Sequence, residues 1–267
     1  MAELAGTVAV VTGGNSLLGS AIARGFVDAG ASVVIAARTE ETGHAAASDL
    51  GDRALFVRTD IGDDRSIAAC VSATLERFER IDFLVNNAVV YLDGGLDSTR
   101  EQWLDALNVN VVGTAVFVRD VARVMSRGAA IVNLGSVGGK FGAAGRAIYP
   151  TCKAAVLQLT KNQAAELAPR GIRVNSVSPG WTWSDPLAAM SGDDRELADR
   201  AAARTQPLGR AGDAAEVARA VIFLCSPAAS FVTGADLAVD GGHSMLGPDQ
   251  GRGARYWLEQ ARGGDRR

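Results

Sequence analysis

The chain has 267 residues, 48% of them apolar, with 27 Lys+Arg against 30 Asp+Glu and a net charge of −3; that length supports a deep core, and the balance without a long basic run speaks against nucleic acid as the main partner. The longest apolar runs, such as residues 33–37, are far too short to cross a bilayer, and residues 1–6 lack the basic start and apolar stretch of a signal peptide. Three cysteines (Cys70, Cys152, Cys225) at no ligand spacing and two distant histidines (His44, His243) predict a reduced, cytoplasmic protein with no metal site.

Along the chain, short β-branched runs alternate with longer amphipathic stretches. Strands are predicted at 7–12, 32–37, 54–58, 81–86, 129–135, 172–178 and 235–239, and helices near 18–29, 41–50, 63–79, 99–126, 150–168 and 213–225. Several strands are almost wholly apolar, which suits a sheet covered on both faces. The alternation predicts an α/β fold with a doubly wound, mainly parallel seven-stranded sheet flanked by helices on both faces. No linker or repeat divides the chain, so residues 1–247 read as one domain and 248–267 as a C-terminal tail. An insertion at 181–210 leaves the carboxyl edge of the sheet, where ligands bind in such folds, and is expected to cover substrate; plain surface decoration is the alternative.

The first strand runs into Thr12-Gly13-Gly14-Asn15-Ser16-Leu17-Leu18-Gly19 and then a helical pattern. Small residues here let the backbone approach a diphosphate while free amides at the helix N-terminus face its charge, so Gly13, Asn15, Ser16, Leu17, Leu18 and Gly19 are candidate cofactor contacts. A ligand-free strand-to-helix turn would carry similar residues. After the second strand, Ala37 stands where an NAD-binding fold usually has an acid, and Arg38 follows; its guanidinium suits a 2′-phosphate, favouring NADP(H), with NAD(H) possible, unless Arg38 is simply a solvated charge. Asp60, followed by Ile61, is placed to meet the adenine.

Tyr149 and Lys153 lie four residues apart, on one face of a helix, and chance gives such a pair in about 3% of chains with three tyrosines and three lysines. A phenol of pKa about 10 is a poor base at neutral pH, and a nearby cation lowers that value. Such a tyrosine gives a proton to a carbonyl oxygen during reduction or takes one during oxidation. Ser136, closing a buried-looking strand, is placed to hydrogen-bond the same oxygen, although turn chemistry is the ordinary role of such a serine.

Read together, these residues resemble the short-chain dehydrogenase/reductase family in its single-domain, Rossmann-type form, over about residues 6–242. The match covers the Thr12 to Gly19 turn, Asn86-Asn87-Ala88, Asn110, Ser136, Tyr149/Lys153, Pro179-Gly180 and Asp240-Gly241-Gly242. The resemblance implies that Tyr149 moves the proton, that Lys153 lowers its pKa and holds the nicotinamide ribose, that Ser136 polarises the carbonyl, and that Asn110 holds a water in a relay to Lys153. It also puts Asn87 and Ala88 against the ribose, and Pro179, Gly180, Thr182 and Ser184 around the nicotinamide carboxamide. Two departures stand out. Leu17 and Val89 replace glycines of the family pattern, and Leu17 is expected to push something aside or narrow the groove.

The expected activity is hydride transfer between a nicotinamide cofactor and a carbonyl or secondary alcohol. Val89, Val90, Phe141, Trp181, Trp183, Leu187 and Met190 are candidate pocket residues for a medium-sized cyclic or aromatic ketone or alcohol, or else the small core of the cover itself. Arg146 and Lys140 are placed to meet a substrate carboxylate or else are solvated. A 3-oxoacyl thioester reductase is the alternative within the class, and a cofactor-binding regulator without turnover the alternative outside it. The resemblance and the long helices predict a homotetramer or dimer, with Tyr256-Trp257-Leu258 of the tail docking on a neighbouring subunit.

Overall fold

The computed structural model describes residues 4–247 and 249–264. Seven strands, β1 (Val8–Thr12), β2 (Ser32–Ala37), β3 (Ala54–Arg58), β4 (Phe83–Asn86), β5 (Ala130–Leu134), β6 (Arg173–Pro179) and β7 (Asp236–Val239), form one sheet in the order β3-β2-β1-β4-β5-β6-β7. Every neighbouring pair is parallel. The predicted strands recur within one or two residues at each end.

Period-two alternation splits the strand side chains between two cores. Ala9, Val11, Val33 and Ile35 face Ile22 and Phe26 of α1 (Leu17–Asp28) and Val217, Val221 and Leu224 of α9 (Ala214–Cys225). Val10, Val34 and Leu84 face Ile67 of α3 (Asp64–Phe78) and Phe117 and Val121 of α5 (Thr114–Ala122). Helices cover both faces, so the strands are apolar on both sides. α2 (Glu40–Leu50) adds Leu50 to the first core.

The long helix predicted at 99–126 is not continuous. α4 (Arg100–Leu107) passes into a π-helical segment, Asn108–Gly113, before α5 begins. Side-chain periodicity hides this break, since one wide turn barely disturbs the apolar pattern. α6 (Ile148–Leu167) begins two residues earlier than predicted, which puts Tyr149 and Pro150 in its first turn, where a proline's missing N–H is harmless. A buried amide chain ties α6 to the sheet: Asn86 Nδ2 donates to Asn133 Oδ1 (2.9 Å), and Asn133 Nδ2 donates to Thr160 Oγ1 (2.9 Å) and Gln163 Oε1 (3.0 Å).

The insertion carries two short helices, α7 (Asp185–Ser191) and α8 (Arg195–Ala202). The tail carries an exposed helix, α10 (Ala254–Gly264). Among the described residues no helix is long and apolar enough to cross a membrane. The strand order reverses between β1 and β4, and their carboxyl ends open a crevice there.

Candidate active site

The crevice begins at the turn between β1 and α1. Gly13 has φ 63°, and a Cβ on it would lie 3.0 Å from Ala88 Cα; at Gly19 a Cβ would sit 2.0 Å from the Gly13 carbonyl oxygen. Only glycine fits at Gly19. Ser16 caps α1: its Oγ accepts the Gly19 N–H (3.1 Å) and donates to the Gly13 carbonyl (2.9 Å). Thr12 holds the two sides of the crevice together. Its Oγ1 accepts the N–H groups of Asn87 (2.9 Å) and Ala88 (3.0 Å), while Asn87 Nδ2 donates to the carbonyls of Thr12 (2.9 Å) and Gly13 (3.1 Å).

Other residues expected at the cofactor are arranged less directly. Asn15 Nδ2 donates to Thr42 Oγ1 (2.7 Å), tying the turn to α2, and Leu18 packs on the first core. Leu17, expected to crowd the groove, is 43% exposed, and its N–H donates to Asp185 Oδ2 at 3.1 Å. Arg38 is exposed just beyond β2, and no carboxylate pairs with it among the described residues. Asp60 Oδ1 already accepts the Gly62 N–H (2.9 Å), and Ile61 is buried with its carbonyl against Gly113. Gly180, at the end of β6, also has no room for a Cβ, which would lie 2.3 Å from Gln206 Oε1. Thr182 is buried beside it, and Ser184 precedes α7 as its N-cap residue.

Ser136, two residues beyond β5, and Tyr149, in the first turn of α6, meet at the carboxyl edge. Burial raises the Tyr149 phenol above its ordinary pKa; the neighbouring hydroxyls of Ser136 and Tyr91 and the Arg146 charge pull the other way. Ser136 Oγ accepts the Gly138 N–H (3.0 Å). Lys153 is buried, its ammonium 5.7 Å from the Tyr149 ring centroid and donating to the Leu134 carbonyl at 2.6 Å. Desolvation lowers it to about 8. Lys153, expected from the sequence to lower the phenol pKa, thus lies beside the Tyr149 ring with its ammonium bonded to a backbone carbonyl. Asn110 is buried in the π-helical segment, its side-chain amide bonded both ways to Val90, accepting the N–H (2.8 Å) and donating to the carbonyl (3.0 Å).

Three site residues escape sequence reasoning. Asp93 accepts the N–H groups of Ala147 (2.8 Å), Tyr149 (3.0 Å) and Gly95 (3.1 Å), capping α6 from 56 residues away. Burial works against its ionisation, but these backbone bonds hold the carboxyl below its ordinary value. Tyr91 stacks on Tyr149, ring centroids 5.1 Å apart at 26°. Asp185 reaches the α1 N-terminus. The Asp93-Gly94-Gly95 run is a turn signal in the sequence, but nothing in it names α6 as the helix that is capped.

The expected pocket residues divide. Val89 and Val90 are half-buried beside Asn110, and Leu187 is half-buried on α7. Phe141 instead meets His243 edge-on at 5.9 Å, and Trp183 lies under the Arg195 guanidinium at 5.5 Å, within the cover's own packing. The Trp181 N–H is held by Gln206 Oε1 (2.6 Å), and Trp181 lines a cavity of about 410 Å³ with Thr182, Leu208, Asp240 and Met245, away from Tyr149 and Ser136. Met190 is 67% exposed.

The grouping fits a dinucleotide: the turn has no space for side chains at Gly19, and the Leu17 amide at the helix N-terminus already holds a carboxylate, an anion of the kind such a donor takes. A parallel Rossmann-type sheet with a glycine turn, a serine and a Tyr-x-x-x-Lys pair at its carboxyl edge defines the class of nicotinamide-dependent oxidoreductases. The chain belongs to the short-chain dehydrogenase/reductase family. A family model described as enoyl-(acyl carrier protein) reductase matches residues 14–244. Cis-4-hydroxycyclohexanecarboxylate dehydrogenase of Sinomonas cyclohexanicum is 40% identical over 247 residues, covering 90% of this chain and 97% of that protein. 3-Oxoacyl-[acyl-carrier-protein] reductase of Vibrio harveyi is 38% identical, covering 91% and 100%. The crystal structure of a short-chain dehydrogenase/reductase, glucose/ribitol dehydrogenase, from Brucella melitensis superposes with a TM-score of 0.83 at 32% identity, covering 91% of this chain and 99% of that one.

Proposed function

We propose that residues 1–247 form one catalytic unit, a dehydrogenase/reductase acting on a medium-sized cyclic ketone or secondary alcohol with NADP(H) as the favoured cofactor. The bound nicotinamide supplies or takes the hydride. Tyr149 passes the proton to or from the substrate oxygen, and Ser136 hydrogen-bonds that oxygen and orients it. Lys153 would hold ribose hydroxyls and sustain the proton supply, and Asn110 fixes the loop after β4 by its grip on Val90. The turn from Gly13 to Gly19, with Asn87, Ala88, Pro179, Gly180, Thr182 and Ser184, would hold the dinucleotide. Arg38, unpaired among the described residues and just past β2, would meet the 2′-phosphate.

The observation that carries this reading is the meeting of the Tyr149 phenol with Ser136 at the crevice edge, with Lys153 buried 5.7 Å from the same ring. The similarity to a cyclohexane-ring dehydrogenase favours cyclic substrates, and the similarity to acyl-carrier reductases supports a second reading, reduction of 3-oxoacyl thioesters. Reduced-nicotinamide absorbance with each cofactor, across cyclic ketones and alcohols and acetoacetyl thioesters, separates the two. Faster turnover of the thioester supports the second; no turnover of any of them, with cofactor still bound, supports a regulator. A cytoplasmic homotetramer or dimer, with α10 docking on a neighbouring subunit, completes the proposal, and light scattering tests it.

A further inference from the structure

We propose that Arg146 and Tyr91 form a subsite beside Tyr149 that selects cyclic alcohols and ketones bearing a carboxylate. The inference deepens the function proposed above and rests on it for the place of the reacting carbon. Of the two cations near this edge, Lys140 is already spent: its ammonium lies 2.6 Å from Asp236 Oδ2. Arg146 is exposed, and among the described residues no carboxylate pairs with it.

The backbone carrying Arg146 is fixed on both sides. Gly145 packs on Gly95, where an added Cβ would come within 3.2 Å of it, and the next residue, Ala147, gives its N–H to Asp93 at 2.8 Å. Asp93 also holds the Tyr149 N–H, so one carboxylate ties the backbone next to Arg146 to that of the reacting tyrosine. The Arg146 charge reaches the hydroxyls of both Tyr91 and Tyr149. Tyr91 is 56% exposed although stacked on Tyr149, leaving an aromatic surface between the reacting phenol and solvent.

These parts match a ligand with three features. A carbonyl or hydroxyl goes to Tyr149 and Ser136, an apolar ring lies along Tyr91, and a carboxylate meets Arg146, whose planar fork takes both oxygens. Tyr91 lies within reach of the Asp185 charge as well as that of Arg146, so a ligand carboxylate is drawn toward Arg146 and repelled by Asp185.

The test compares 4-oxocyclohexanecarboxylate with its methyl ester as substrates for the wild type, Arg146→Gln and Arg146→Lys. The wild type should prefer the acid in kcat/KM by about tenfold or more, the scale of a charge-assisted pair. Arg146→Gln should erase that preference, and Arg146→Lys should keep part of it. An acid-to-ester ratio that is the same in wild type and Arg146→Gln overturns the proposal. Equilibrium binding of cyclohexanecarboxylate against cyclohexanecarboxamide, read by tryptophan fluorescence, decides the matter without turnover. Tighter binding of the carboxylate to wild type, lost in Arg146→Gln, upholds the subsite even if neither ketone reacts, an outcome that would instead count against the proposed reaction. Equal affinities overturn the subsite.

Discussion

Leu17 and Asp185 are 168 residues apart in sequence, yet the Leu17 N–H donates to the Asp185 carboxylate at 3.1 Å, joining the first turn of α1 to the first residue of α7. The positive end of a helix favours an anion, and here Asp185 of the 181–210 insertion supplies one. If a cofactor diphosphate uses the same N-terminus, it competes with Asp185. Asp185→Asn should therefore tighten binding of the reduced cofactor several-fold, about the worth of one helix-terminus charge. Fluorescence titration measures this; unchanged or weaker affinity would show that the carboxylate does not compete.

Tyr149→Phe keeps the ring and its stacking on Tyr91 but removes the exchangeable proton. A fall in kcat of about 100-fold or more is expected, the usual contribution of a positioned acid or base. Because burial raises the phenol pKa, the protonated form needed for reduction persists through neutral pH, whereas oxidation needs the phenolate. Alcohol oxidation should climb across the alkaline range while ketone reduction does not. Opposite slopes would sink the assignment of the proton to Tyr149.

Lys153 makes a prediction about stability. Its pKa is lowered to about 8 in the folded chain from an ordinary 10.5, so above pH 8 the unfolded state holds more protons and stability rises until about 10.5. At neutral pH the buried ammonium costs a net of about 3 kcal/mol, its bond to the Leu134 carbonyl included. Lys153→Met should be at least as stable as wild type at pH 7 while losing activity. Urea unfolding at pH 7 and pH 10 checks both points: the advantage of the variant should shrink at the higher pH.

Asp93→Ala leaves the N–H groups of Gly95, Ala147 and Tyr149 without their acceptor. A loss of about 1–2 kcal/mol in stability is expected, the range for removing a helix cap, with kcat falling more than KM rises because Tyr149 loses its anchor. The carboxyl is held below its ordinary value, so this contribution is complete above about pH 4 and is lost as the pH falls through the folded value. Calorimetry on wild type and variant, together with steady-state kinetics, tests the cap; a variant with wild-type melting and kcat would remove it.

Much of this architecture is legible without coordinates because its signals are short-range. Short, almost wholly apolar β-branched runs locate the seven strands, and the four-residue spacing of Tyr149 and Lys153 puts both on one face of α6 whatever surrounds it. The glycine turn is readable too, since a Cβ at Gly19 would collide with the carbonyl of Gly13, only six residues back. What tertiary structure alone decided is which distant groups meet. Asp93 caps a helix it does not belong to, Asp185 answers an amide 168 residues away, and Lys140 finds Asp236 while Arg146 stays unpaired among the described residues. Trp183 meets Arg195 and Phe141 meets His243, pairings that nothing along the sequence specifies. The π-helical turn around Asn110 belongs to the same group: backbone geometry changes there while the side-chain pattern continues, and only packing against the loop at Val90 reveals it.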